Sequence, residues 1–126
     1  MMKKHNLLTL KQVWLLPLML LGLTAFDAQS DTGKVTTTVS QFLITDGNYG
    51  NCMAKLDVSP RSELPQCGNH WVSFSCDGTY QSKDIAYRML DTTQMAAVLD
   101  KEVTIHLDDS RRHNSFCLAT RVDFIP

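Results

Sequence analysis

The sequence predicts a small, mainly β domain with one α-helix, and three observations carry that expectation. Five segments read as strands, one segment has helical periodicity, and all four cysteines (Cys52, Cys67, Cys76, Cys117) follow an N-terminal stretch that reads as an export signal. That stretch has a basic start at Lys3, Lys4 and Lys11, an apolar run over 13–23, and small or turn-prone residues over 24–30. The run is shorter than the roughly 20 apolar residues a membrane-spanning helix needs, and Pro17 interrupts it, so cleavage after Ala25 or Ala28 is expected rather than anchoring. The expected organisation is a signal peptide over 1–28 and one domain over 29–126, periplasmic or secreted, with no membrane span.

Cutting after Ala28 removes Lys3, Lys4, Lys11 and Asp27 and leaves 98 residues with 9 basic and 12 acidic side chains, a net charge of −3 with neutral histidine. Nucleic acid is a poor partner for such a chain. Its one basic pair, Arg111-Arg112, directly follows Asp108-Asp109, which cancels the local field. A core of this size is only marginally stabilising, and two disulfides worth about 2–4 kcal/mol each would be a large share of the total.

The first strand is expected over 35–44, rich in Thr and Val, followed by a turn cluster over 46–51. The second, 52–58, alternates Cys52, Ala54, Leu56 and Val58 on a buried face with Met53, Lys55 and Asp57 on a wet one. A proline-containing loop leads to the third, 71–76, with Val72, Phe74 and Cys76 inward and Trp71, Ser73 and Ser75 outward. Over 82–99 the period changes. Ile85, Met89, Thr92, Ala96 and Leu99 form an inner helical stripe flanked by Ala86, Leu90, Thr93 and Ala97, with Ser82 as cap and Asp84 at the positive end. The fourth strand places Val103, Ile105 and Leu107 inward, a loop is expected over 108–115, and the fifth strand, 116–125, places Leu118, Thr120, Val122 and Phe124 inward.

Three strands, a helix and two more strands is the chain order of a five-stranded OB-fold barrel with one helix between strands three and four. A strongly bent five-stranded sheet on one helix would give the same order. Four cysteines allow three pairings, and spacing does not choose among them. If the second and third strands pair antiparallel, Cys52 and Cys76 come opposite one another on the inward face, which favours that bridge and leaves Cys67 with Cys117.

Gly33-Lys34-Val35 opening a Thr/Val strand, a cysteine starting the second strand, a helix with an alanine-rich end running into Val103-Thr104-Ile105-His106, and a late cysteine before the last strand together resemble the subtilase-cytotoxin type of B subunit. More broadly they resemble the small OB-fold B subunits of bacterial toxins that carry one A subunit on a B pentamer. The resemblance implies a homopentamer, glycan or glycoprotein recognition, and an enzymatic A subunit as a partner. No sugar-contacting residue of that family is carried over to a position of this sequence.

OB geometry places ligands between the first and the last inter-strand loops, here 46–51 and 108–115. Tyr49 and the outward Trp71 are the rings able to stack on a sugar, and Asp46, Asn48, Asn51, Asp109 and Arg111 are the groups able to hydrogen-bond its hydroxyls. The same residues also read as a plain turn and a packing tryptophan. His106, Asp108, Asp109 and His113 lack a compact metal motif, no Cys-x-x-Cys or nucleophile elbow occurs, and no cofactor or catalytic residue is expected. The expected function is a disulfide-stapled, toxin-B-like binding module rather than an enzyme. The alternative is a stand-alone periplasmic or secreted interaction protein of the same fold.

Overall fold

The computed structural model describes residues 31–126, so the expected export segment lies outside the described residues. Strands β1 (Thr32–Thr37), β2 (Val39–Ile44), β3 (Cys52–Leu56) and β4 (Trp71–Ser73) precede helix α1 (Lys83–Val98), and β5 (Val103–His113) and β6 (Phe116–Phe124) follow it. They form one six-stranded mixed sheet in the order β1-β5-β6-β4-β3-β2, with β4 and β6 parallel and the other neighbours antiparallel.

The strand expected over 35–44 is therefore two strands broken at Thr38, and they occupy opposite edges of the sheet. Five inter-strand spacings of about 4.8 Å would set the edges of a flat sheet about 24 Å apart. One residue separates Thr37 from Val39, and two Cα steps reach about 7 Å at most. The sheet must curl. β1 pairs with β5 and β2 with β3, and no ladder among the described residues joins the two edges directly. Threonine hydroxyls fix the break: Thr37 Oγ1 accepts from the Val58 N–H (3.0 Å) and donates to the Thr38 carbonyl (2.7 Å). That carbonyl also accepts from Asp57 N–H (3.1 Å), while the Thr38 hydroxyl donates to the Asp57 carboxylate.

Inside the curl lie Val35, Cys52, Ala54, Leu56, Val72, Phe74, Val103, Ile105, Leu107 and Ala119, with α1 packed against them. Ser82 caps the helix, its side chain accepting from Ile85 N–H (3.3 Å), and Asp84 sits in the first turn. The buried stripe is Ala86, Met89, Leu90, Thr93 and Ala96, whereas the expected inner residues Ile85 and Leu99 are exposed. Both sets share the helical spacing. The winning set offers two fully buried alanines, which lets the helix approach the sheet, and its one polar member, Thr93, donates to the Met89 carbonyl (2.7 Å). Val58, expected inward, lies beyond β3 and is exposed.

β6 departs from simple alternation as well. The register slips between His106 and Leu107, which pair with Arg121 and Ala119, so Thr120 is an extra residue on β6. A one-residue bulge exchanges the faces on either side of it. Val122 and Phe124 pack toward the core as expected, but Cys117 and Ala119 replace Leu118 and Thr120 there.

Cys52 bonds to Cys76 (Cα–Cα 5.7 Å) and Cys67 to Cys117 (5.2 Å), and all four cysteines are buried. The register sets Ala54 against Val72, which puts Phe74 rather than Cys76 across from Cys52. β4 ends at Ser73, and Ser75, at φ 56°, turns the chain so that Cys76 comes back onto β3. Such bridges form and persist in oxidising compartments outside the cytosol. Among the described residues no helix is long and apolar enough to cross a membrane.

The Cys67–Cys117 bridge spans 50 residues and ties the proline loop to β6. Replacing both cysteines by serine is expected to cost about 2–5 kcal/mol, read as a lower urea midpoint of the oxidised protein. An unchanged midpoint would show that the bridge does not stabilise the domain.

Candidate functional site

The outward face of β2, β3 and β4 is only partly wet. Across these strands Leu43 pairs with Met53 and Met53 with Ser73, while Trp71 pairs with Lys55. Met53 was expected to face water but is 2 % exposed, and Ser73 and Ser75 are fully buried. The 46–51 loop and the tip of the β5–β6 hairpin fold over this face. Tyr49 meets Phe116 edge-on, with ring centroids 5.8 Å apart, and Ser73 Oγ donates to the Tyr49 carbonyl (2.7 Å). A cavity of about 210 Å³ remains, lined by Leu43, Tyr49, Met53, Trp71 and Phe116.

Unusual backbone positions both rings. Tyr49, Gly50 and Asn51 have φ of 56°, 70° and 68°, and His70, just before Trp71, has 58°. Left-handed conformations at bulky residues are uncommon and persist where the surroundings enforce them. The enforcing contacts are visible. The Asn51 side chain accepts from Gly47 N–H (2.9 Å), and the Asn51 carbonyl accepts from Thr45 N–H (2.9 Å). His70 is clamped to the end of β3, its carbonyl accepting from Leu56 N–H and its Nδ1 hydrogen-bonded to the Leu56 carbonyl, each at 2.8 Å. Gly50 is buried so tightly that a Cβ there would lie 2.6 Å from Ser73 Oγ and 2.7 Å from the His113 ring.

Beneath the loop lies a polar cluster. The Ser75 hydroxyl donates to Asp77 Oδ1 (2.9 Å), accepts from Tyr80 N–H (3.2 Å) and is hydrogen-bonded to His113 Nε2 (2.9 Å). The Tyr80 ring packs on His113 at 4.9 Å, and Asp77 N–H donates to the Gly50 carbonyl (3.2 Å). Burial pushes the Asp77 carboxyl up, but hydrogen bonds from Thr79 and Ser75 and the neighbouring His113 outweigh it and hold the group below its ordinary range. The trio of Ser75, His113 and Asp77 is not arranged as a hydrolytic triad. Asp77 lies 3.7 Å from Nε2, the same nitrogen that meets the serine, whereas a triad carboxylate orients the histidine from Nδ1. The serine is also sealed from solvent. The cluster ties the 46–51 loop to the hairpin.

Of the seven candidate binding residues, Tyr49 and Trp71 share the cavity. Asp46 and Asn48 are exposed on the same loop as Tyr49, and the Asn51 side chain is spent on holding that loop. Asp109 and Arg111 are engaged elsewhere. The segment 108–115 is a hairpin rather than an open loop, with β5 running to His113 and an irregular register between Asp108 and Arg112. Asp109 accepts from Asp31 N–H (2.9 Å), and Arg111 pairs with Asp108 at 2.9 Å. Burial raises the Asp108 carboxyl, and Ser110 and Arg111 more than reverse this, keeping it below its ordinary range. His106 binds Asp123 (3.0 Å) while His113 binds Ser75, and no three His, Cys, Asp or Glu side chains among the described residues converge for a metal.

Leu43, Met53 and Phe116 were missing from the sequence-derived site. Met53, a large apolar side chain at a position the alternation assigns to solvent, was the available signal. In comparisons with family models, curated proteins and solved structures, none matches this chain.

Two glycines separate strain from packing. Gly47, at φ 91°, has nothing within 4 Å of an added Cβ, so Gly47→Ala is expected to cost about 1–2 kcal/mol from left-handed strain alone. Gly50→Ala adds overpacking of about 1–3 kcal/mol and displaces Tyr49. Urea midpoints should fall further for Gly50→Ala than for Gly47→Ala; equal falls would mean the loop yields without loss.

Proposed function

We propose that the protein is an exported, disulfide-stapled binding module that recognises glycans at the Tyr49–Trp71 cavity, in the manner of an OB-fold toxin B subunit, and is not an enzyme. The observation carrying this reading is the pair of aromatic residues brought together at one surface cavity by enforced left-handed backbone. Aromatic faces stack on the C–H faces of sugar rings, and the exposed Asp46 and Asn48 beside Tyr49 are acceptors and donors for the hydroxyls. The OB reading counts the bent pair β1 and β2 as one strand, which leaves five, with the helix between the third and fourth of them.

The module is proposed to work as a homo-oligomer, a pentamer on the toxin analogy, that escorts an A subunit. Two surfaces support self-association. Helix α1 exposes Ile85, Tyr87, Met95 and Val98, the last 86 % exposed, and edge strand β2 carries no charged residue to discourage pairing. A groove lined by Val39, Phe42, Ala97 and Val98 lies between them.

Without residues 1–28, Trp71 is the only tryptophan, so its fluorescence reports on the cavity directly. Titration with a panel of oligosaccharides should give saturable changes for at least one, and by calorimetry, which needs no tryptophan, Trp71→Ala should weaken that binding about tenfold while the circular dichroism is kept. No response to any glycan, or full affinity in Trp71→Ala, would end the glycan reading. Light scattering on the oxidised protein should give a mass near five chains; a monomer would favour a stand-alone binding protein with no A subunit.

A further inference from the structure

A second cavity, about 530 Å³ and sharing no lining residue with the aromatic one, opens over β1, β5 and β6 and is lined by Thr32, Lys34, Glu63, His106 and Thr120. Its chemistry differs: the aromatic cavity is walled by apolar side chains, whereas this one sets a lysine, a glutamate, a histidine and two threonines around Gly33 and Leu107. Register and bulge assemble it. Lys34 lies directly across from His106 in the β1–β5 ladder, and the extra residue of the β6 bulge is Thr120, whose hydroxyl donates to the His106 carbonyl (3.3 Å). Gly33 lets the 60s loop lie against β1, since a Cβ there would be 3.1 Å from the Leu64 side chain and 3.3 Å from Glu63 Cβ. That approach brings Glu63 to the cavity that Lys34 lines from the strand.

The groups around it are braced. His106 Nε2 is 3.0 Å from Asp123 Oδ2, and Asp123 Oδ1 takes the Arg121 Nε–H at 2.6 Å, which fixes the imidazole and leaves Nδ1 as its unengaged nitrogen. Lys34 and Glu63 have no side-chain partner among the described residues, although both line the same cavity. A free surface lysine means little by itself. A free cation and a free anion presented from separate elements, with two threonine hydroxyls lining the same cavity, form a complementary template.

We infer that this cavity binds a small hydroxylated carboxylate, of the uronic-acid class. The ligand carboxylate sits on the Lys34 ammonium, its hydroxyls donate to Glu63, and the Thr32 and Thr120 hydroxyls complete the ring of contacts. A phosphate fits worse, because its second charge would share the cavity with the Glu63 carboxylate. A neutral sugar leaves Lys34 without its counter-charge. The site is independent of the Tyr49–Trp71 reading and would make the module recognise two features of one acidic glycan, or two ligands.

The test is an NMR titration of the oxidised protein with sodium glucuronate, with glucose as the neutral control. Saturable shifts are expected at the amides of Thr32, Lys34 and Thr120 and at the His106 ring, with glucose at least tenfold weaker. Lys34→Gln, at an exposed position, should fold normally and bind glucuronate at least tenfold more weakly. The inference is overturned by an absence of saturable shifts, by equal response to glucose, or by unchanged affinity in Lys34→Gln. Shifts confined to Tyr49, Trp71 and Phe116 would likewise overturn it while leaving the aromatic site standing.

Discussion

One residue, Thr38, joins the two edges of a six-stranded sheet, and most of the architecture follows from that connection. Strands that are neighbours in sequence but last and first in the sheet cannot coexist with a flat arrangement, so the sheet wraps and acquires an inside and an outside. The inside mixes large side chains such as Phe74, Leu56, Ile105 and Leu107 with small ones, and Ala54, Ala86, Ala96 and Ala119 are all fully buried. The two alanines of the contact stripe let the helix seat close to the sheet beside Met89 and Leu90. The Thr37 hydroxyl bonds the Thr38 carbonyl and the Val58 N–H where the ladder switches partners, and the Thr38 hydroxyl holds the Asp57 carboxylate.

The outside is not a plain solvated surface. Above β3 and β4 a loop and a hairpin tip meet over Met53, Ser73 and Leu118, held by the Ser75–Asp77–His113 cluster below and the Tyr49–Phe116 contact above. Polar and apolar parts divide the labour. The hydrogen bonds fix where the loop sits, and the aromatic and methionine side chains leave a cavity beside it. A cavity built this way has its geometry set by the fold itself, which lowers the ordering cost of filling it.

The sequence disclosed the elements better than their faces. Ser82 and the helical spacing located α1, and alternation located the strands, because both signals are local. The inner stripe of α1 was misjudged by one step, since Ile85 and Leu99 fit the same spacing as Ala86 and Ala96 and only the tightness of the sheet distinguishes them. The Thr-rich 36–38 run contains no glycine or proline, so nothing local marked the split into β1 and β2. Likewise the β6 bulge depends on its pairing with β5, and it moved Leu118 and Thr120 off the core. In the candidate site, Tyr49 and Trp71 were legible from loop position and strand alternation. Asp109 and Arg111 were not, because whether a polar side chain is free or already engaged is settled by the folded chain: Asp109 meets the distant Asp31, and Arg111 closes back on Asp108 where the hairpin register is irregular.

The placement of β1 also governs how the chain reaches this state. Thr32 pairs with Asp108 and Thr37 with Val103, so the first strand of the domain has no ladder partner until β5 has been synthesised. β4 finds β3 early but gains its second neighbour only when Ser73 meets Leu118 on β6. Only β2, β3 and β4 can pair early, in a meander that exposes its inner face. Contacts of such long sequence separation fold slowly, and an emerging chain stays open through most of its synthesis. The topology that brings the first strand home last therefore delays burial of the core until nearly the whole domain is present.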